Sequence, residues 1–301
     1  MTETTRGRRL WFWFLIVLSG GSWGLFFSLA RIAREDGYHP LGLTMWQGIG
    51  GSILLLSITL GRRSRIPFHG RAICFYVICG IFGTVLPTST IFYVAPNMGA
   101  GFLAITMTLV PLLTYGVSIL LGIDRPAALR LAGLVLGFVA ILMIFVPQMG
   151  AEGGVALFWA LLALLIPVSF TTENLLLALK APAGMDPIAL VGVFQLTGAL
   201  LLLPIVLATG TYMDVTVTWT QAHWVSVLML VINAGSYTLF LYIIQHTGPV
   251  FAAQTTYLAT ITGVLWGMAL FGETHSAWVW GALVILIAGM ALVQERKIER
   301  S

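Results

Sequence analysis

Ten runs of about twenty mostly apolar residues follow one another along this chain, and no other feature constrains its fold so strongly. A helix needs roughly 20 such residues to cross the hydrocarbon core of a bilayer. The runs fall at approximately 10–30, 40–60, 72–94, 99–121 and 129–147. After a Gly-rich gap at 150–154 come 155–178, 187–209, 223–245, 250–271 and 277–294. Lipid offers backbone groups no hydrogen-bond partner, so each run is expected to be helical. Only 9% of the 301 residues are charged and 58% are hydrophobic, whereas a soluble domain carries about 25% charged residues. The predicted fold class is therefore all-α, a polytopic membrane protein with ten transmembrane helices.

The charges that remain fix an orientation. Cytoplasmic loops carry an excess of Lys and Arg. With the N-terminus inside, one face receives Arg6, Arg8, Arg9, Arg62, Arg63, Arg65, Arg71, Arg125, Arg130, Lys180, Arg296, Lys297 and Arg300. The other face receives only Arg31 and Arg34, beside Glu35 and Asp36. Dropping one mid-chain span would scramble that asymmetry. The expectation is a multi-pass protein of the cytoplasmic (inner) membrane with both termini on the cytoplasmic side. The same placement explains the basic balance without a nucleic-acid partner. The first apolar run continues to about Ala30 with no small-residue cleavage site, so it reads as a span rather than a signal peptide. Trp11 and Trp13 at one edge, and Trp219, Trp224, Trp278 and Trp280 at the other, suit the headgroup level that indole prefers.

The gap near 150 divides the chain into units of 1–149 and 150–301, five spans each. Five is odd, so the second unit enters the membrane from the opposite side. Inverted repeats of this kind place a binding site near the midplane, where the halves meet. Internal similarity supports a duplication: Leu121-Gly122-Ile123-Asp124 closes the fourth span, and Phe271-Gly272-Glu273 closes the ninth. A Gly-led span follows each within about ten residues. Gly20 with Gly24, and Gly133 with Gly137, have the spacing that lets helix backbones approach closely.

Ser22-Trp23-Gly24 in the first span and Pro40 opening the second form part of a larger pattern. It continues through Ala95-Pro96-Asn97-Met98-Gly99-Ala100, Thr108-Leu109-Val110-Pro111 and Phe271-Gly272-Glu273. In order, spacing and span number the pattern resembles the EamA-type drug/metabolite transporters, ten-helix carriers made of two inverted repeats, over nearly the whole chain. The resemblance departs at Gln47, where the family often has arginine, and at Thr260, which stands opposite Pro111. It implies export of small metabolites or drug-like compounds by alternating access, with proton coupling as one option.

Ionisable groups at membrane depth are functional candidates because they are costly there unless paired or hydrated. Glu173 is the one acidic residue well inside a span, roughly 10 Å from the midpoint of the sixth helix by helical rise. It is a candidate proton carrier or cation-binding group; the competing reading is a packing role satisfied by Thr172, Asn174 or a neighbouring helix. Gln47, Gln195, Asn233, Tyr237, Gln254 and Tyr257 are neutral polar candidates that either bond between helices or line a wet cavity. Asn233 with Tyr237, and Gln254 with Tyr257, each share a helix face on adjacent spans, which points to a common cavity. Trp23 is deep in the first span and is either packing or cavity lining. Pro87, Pro111 and Pro167 lie within spans, and each deprives the carbonyl four residues earlier of its donor; they are candidate hinges or tolerated bends.

No cofactor is expected, and the five histidines lie in loops or at span ends without metal-ligand spacing. Cys74 and Cys79 read as small hydrophobes. An embedded enzyme would need paired carboxylates, a Ser/His pair or a metal cluster, so the enzyme reading is set aside. A passive channel or a lipid flippase stays open as an alternative to a carrier. The expected partners are a small-molecule substrate and the lipid bilayer, with the chain monomeric or homodimeric.

Overall fold

A computed structural model describes residues 3–60, 66–123, 125–151, 154–247, 252 and 254–294. Arg62, Arg63, Arg65, Asp124, Arg296, Lys297 and Arg300, used above for orientation and for the repeat, lie outside the described residues. The side chains of Arg6, Arg8 and Arg9 do too.

The chain is all-helical among the described residues. Its elements are α1 (Glu3–Ile32), α2 (Pro40–Leu60), α3 (Gly70–Gly80), α4 (Leu86–Val94), α5 (Ala100–Thr106), α6 (Leu109–Leu120) and α7 (Ala128–Ala151). Then follow α8 (Gly154–Ala163), α9 (Leu165–Lys180), α10 (Pro187–Thr209), α11 (Gln221–Thr247), α12 (Gln254–Phe271) and α13 (Ala277–Gln294). Three pairs, α3 with α4, α5 with α6, and α8 with α9, are halves of single passes, so the described helices make ten passes. Seven are long and apolar enough to cross a membrane; Ala128–Ala140 and Ala277–Val293 are shorter apolar stretches. The fifth pass runs through Gly150 to Ala151, past the point where the sequence reading places its end. A glycine in a last helical turn costs only about 1 kcal/mol relative to Ala.

Local chemistry marks several helix ends. Pro187 opens α10 behind Asp186, whose carboxylate accepts from the N–H groups of Ile188 (2.8 Å) and Ala189 (3.2 Å). That is the capping expected before a proline at the first helical position. The same helix closes on Gly210 at φ 64°, the left-handed turn that glycine adopts without a Cβ penalty.

The packing repeats itself about a pseudo-two-fold axis. Passes two and seven, four and nine, and five and ten pack on each other, each pair being its own counterpart. The contact of pass one with pass nine is matched by that of six with four. Likewise one with eight is matched by six with three, and two with eight by seven with three. Two fused copies of one five-pass unit produce this network. The small-residue spacings serve it: a Cβ on Gly24 would lie 2.6 Å from Gly263 N, and one on Gly133 would lie 2.5 Å from Gly289 O. Backbones of passes one and nine, and of five and ten, therefore touch where no side chain fits.

The ten passes alternate in direction, which sorts their ends into two faces. The Arg31 face is laced by polar contacts. The Asp36 carboxylate accepts from the Ala222 N–H at the start of α11 (2.9 Å), and the Tyr38 hydroxyl meets His223 Nε2 (3.3 Å). Hydrogen bonds from the Thr220 side chain and the Ala222 N–H hold the Asp36 carboxyl below the usual carboxylate range. The Tyr93 hydroxyl meets His39 Nε2 at 3.4 Å. On the opposite face, which carries Arg130 and Lys180, Arg130 lies over the Tyr115 ring at 5.3 Å.

Candidate functional site: a cavity between the two halves

Each proline within passes three, four and six sits one turn beyond a break in regular winding. The π-helical turn Ile81–Val85 precedes Pro87, Met107 and Thr108 interrupt the fourth pass before Pro111, and Leu164 interrupts the sixth before Pro167. A missing N–H and a ring clash with the preceding turn account for this placement. Pro204, within α10, leaves its helix unbroken.

Two of these breaks border a cavity of about 700 Å³. Gly83 and Thr84 come from the π turn, Met107, Val110 and Pro111 from the fourth pass, and Phe170, Glu173 and Asn174 from the sixth. Trp23, Phe26 and Phe27 of the first pass, Gln47 of the second, Gln195 of the seventh and Asn233, Tyr237 and Phe240 of the eighth complete its deep wall. Toward the Arg130 face the lining continues through Thr114, Tyr115, Ser118, Arg130 and Val293. On the other side it stops at Phe27, Gln47, Ile91 and Ala104, short of the laced loops. The cavity therefore reaches one face of the protein.

Glu173 is its most unusual wall residue. It is 2% exposed, and among the described residues no hydrogen bond or ion pair reaches its carboxylate. It leans on bare backbone: a Cβ on Gly83 would stand 2.8 Å from Glu173 Cδ and 3.1 Å from its Oε1. Elsewhere in the wall, Gln47, Thr84, Thr114 and Gln195 each hold a buried side-chain oxygen without a hydrogen-bond partner. Such groups each cost about 1–3 kcal/mol when left unpaired. The Gln47 amide donates to Ser226 O (2.9 Å), which fixes that side chain between passes two and eight. The same cavity wall holds an aromatic corner, where Trp23 meets Tyr237 edge-on at 5.3 Å and Phe240 at 5.5 Å.

The structure thus brings Trp23, Gln47, Glu173, Asn233, Tyr237 and Pro111 to one cavity. Gln254 and Tyr257 are not in its lining. Tyr257 is buried in an apolar cluster with Leu109, Leu112, Tyr115, Met290 and Val293, while Thr256, Ala259 and Thr260 present the cavity-facing side of the ninth pass. Pro87 and Pro167 flank the cavity without lining it. Sequence reasoning passed over Thr84, Thr114, Phe170 and Phe240. Phe170, three residues before Glu173 on one helix face, carried a readable signal. Among the described residues no group of three His, Cys, Asp or Glu side chains is placed to hold a metal ion.

A two-fold helical bundle enclosing a largely apolar cavity with a few polar groups in its wall is the architecture of a membrane transport protein, and the comparisons agree. The chain belongs to the EamA-like transporter family, which it matches over residues 10–146 and again over 157–294. An uncharacterized inner membrane transporter of Escherichia coli K12, YedA, is 24% identical over 274 residues, covering 90% of this chain and 86% of the relative. The YedA proteins of E. coli O6:H1 and O157:H7 align with the same figures. A solved crystal structure of a protein 18% identical in sequence superposes with a TM-score of 0.61, over 95% of this chain and 97% of the other. That likeness speaks for the fold alone.

Proposed function

We propose that this chain is a secondary carrier exporting small metabolites or drug-like compounds across the inner (cytoplasmic) membrane by alternating access, with Glu173 as the coupling group. Both termini then lie in the cytoplasm, as the charge asymmetry requires. The observation that carries the reading is a buried, unpaired carboxylate in a cavity whose lining, among the described residues, extends toward the Arg130 face and not toward the Arg31 face. On this topology the cavity faces the cytoplasm, where an exporter loads. A cavity between inverted repeats can be exposed to the other side by rocking one half against the other. The broken third, fourth and sixth passes supply places where that motion bends.

A passive channel would need a path to both faces, and the lining ends below the loops around Arg31. Catalysis has little support: Glu173 is the only carboxylate in the cavity wall among the described residues, and no histidine lines it. The substrate partner and the surrounding bilayer are otherwise as the sequence suggests.

The test is flux in proteoliposomes across a metabolite panel, with and without a pH gradient. Glu173→Gln should abolish the response to the gradient while leaving the protein folded. Unchanged gradient-driven flux in that variant would remove Glu173 from coupling. Reporter fusions at Met149 and Ser301 should appear on opposite sides of the membrane, and same-side signals would sink the topology.

A further inference from the structure

The chemistry of the cavity wall narrows the kind of compound it takes. Resting on the reading of this cavity as a substrate site, we infer that it binds organic cations, seating an N–H-bearing cationic head on Glu173 and an apolar or aromatic body in the Trp23–Tyr237–Phe240 corner.

Three observations converge. First, Glu173 is nine-tenths buried or more and lines the cavity, with no hydrogen bond or ion pair to its carboxylate among the described residues; the Tyr237 and Cys79 side chains are the titratable groups that feel its charge. An anion placed there meets like charge in a medium that screens poorly, and a neutral guest leaves the carboxylate unpaired. A proton or a bound cation is what relieves it. Secondly, the cavity wall carries the side-chain amides of Gln47, Gln195 and Asn233 and the hydroxyls of Thr84, Thr88 and Thr114, all of which can accept hydrogen bonds. A head group carrying several N–H donors has acceptors to turn to there; one without donors makes no use of them. Thirdly, ring faces attract cations, and indole does so most strongly. Trp23 stands at the centre of the corner, in ring contact with both Tyr237 and Phe240. Arg130, the cation of the lining, lies toward the opposite end and is engaged by the Tyr115 ring.

Three simple probes can stand in for the physiological substrate. Phenethylammonium, 2-phenylethanol and phenylacetate share one body and differ in charge. Their binding to the purified full-length protein is measured by thermal stabilisation and by intrinsic tryptophan fluorescence. Phenethylammonium should bind at least about tenfold more tightly than either analogue, since that ratio corresponds to about 1.4 kcal/mol of charge-specific interaction. Glu173→Gln should erase the preference, the affinity for phenethylammonium falling to that for 2-phenylethanol in the same variant. N,N,N-trimethylphenethylammonium, which has no N–H donors, should bind more weakly than the primary amine. Equal or tighter binding of the neutral or anionic analogue overturns the inference, and so does failure of both phenethylammonium and its trimethyl analogue to bind. The comparison within wild-type protein stands even if the variant does not fold. Cation-selective binding without any flux in proteoliposomes would defeat the carrier reading and leave this one intact. Flux of compounds showing no charge preference would do the reverse.

Discussion

The guanidinium of Arg31 and the carboxylate of Glu273 meet at 3.1 Å, joining the end of the first pass to the end of the ninth. The same carboxylate accepts from the backbone N–H groups of Ala100 (2.7 Å) and Gly101 (3.1 Å), capping the start of the fourth pass. His275 Nε2 is 3.8 Å away, and Gly99 and Gly267 crowd so close that no Cβ fits beside the carboxylate. One side chain therefore ties three passes together on the face that the cavity does not reach. Glu273→Ala removes both caps and leaves Arg31 without its carboxylate partner. A loss of about 1–3 kcal/mol is expected, read as a lower thermal midpoint in detergent. Glu273→Gln should fall between the two, since the amide oxygen still caps.

Gly24→Ala should cost about 1–3 kcal/mol, as overpacking does, because its Cβ would collide with Thr262 Oγ1 and with the backbone of Gly263 and Ala259. Gly235→Ala, also mid-helix, meets nothing within 4 Å and should be neutral or stabilising by about 0.5–1 kcal/mol. Parallel melts of the two variants check the contrast. Equal effects would mean that passes one and nine do not pack as closely as described.

Gly83→Ala should affect function more than stability. Its Cβ would sit 2.8 Å from Glu173 Cδ and 3.0 Å from the Phe194 ring, so the acidic side chain must move. Near-wild-type melting with flux reduced about tenfold or more is the expected result, because small misplacements at a binding site are costly. Wild-type flux would show that the position of Glu173 is not critical.

Asp36 supplies a pH signature on the polar face. Its carboxyl is held down first by the Thr220 side chain and then by the Ala222 N–H. A group whose folded pKa is depressed contributes stability that is complete above its unfolded value of about 3.9 and is lost as pH falls through the folded value. Asp36→Asn should therefore melt earlier than wild type at neutral pH, with the gap closing below about pH 4. Melting curves across that range check both the sign and the window. A gap that widens on acidification would contradict it.

The all-helical fold was readable in the sequence because lipid leaves a crossing chain no other choice, and the duplication was readable in its closing Gly–acid patterns. The interior of each helix bundle was harder. In water an apolar stripe tells which face points inward, but in lipid both the core and the outer surface are apolar. Tyr257 shows the consequence: it packs in a cluster with Leu109 and Met290, and neither it nor Gln254 is in the cavity lining. Glu173 was legible because its charge stood alone in a span. The capping role of Glu273 was not, because the two N–H groups it caps lie 172 and 173 residues back along the chain and belong to the backbone, which carries no side-chain signature.

The π turn at Ile81–Val85 gives the third pass a history as well as a shape. Such a turn amounts to one residue inserted into an α-helix, and each residue of an α-helix advances the winding by about 100°. Everything from Leu86 to Val94 is rotated by that amount from where an uninterrupted helix would carry it. Thr88 and Ile91 owe their place in the cavity wall to this change of register. Deleting a single residue from the turn would rewind the outer half of the pass and turn both toward a neighbour. Length at this point, more than the identity of any one side chain, determines which residues a passing molecule meets.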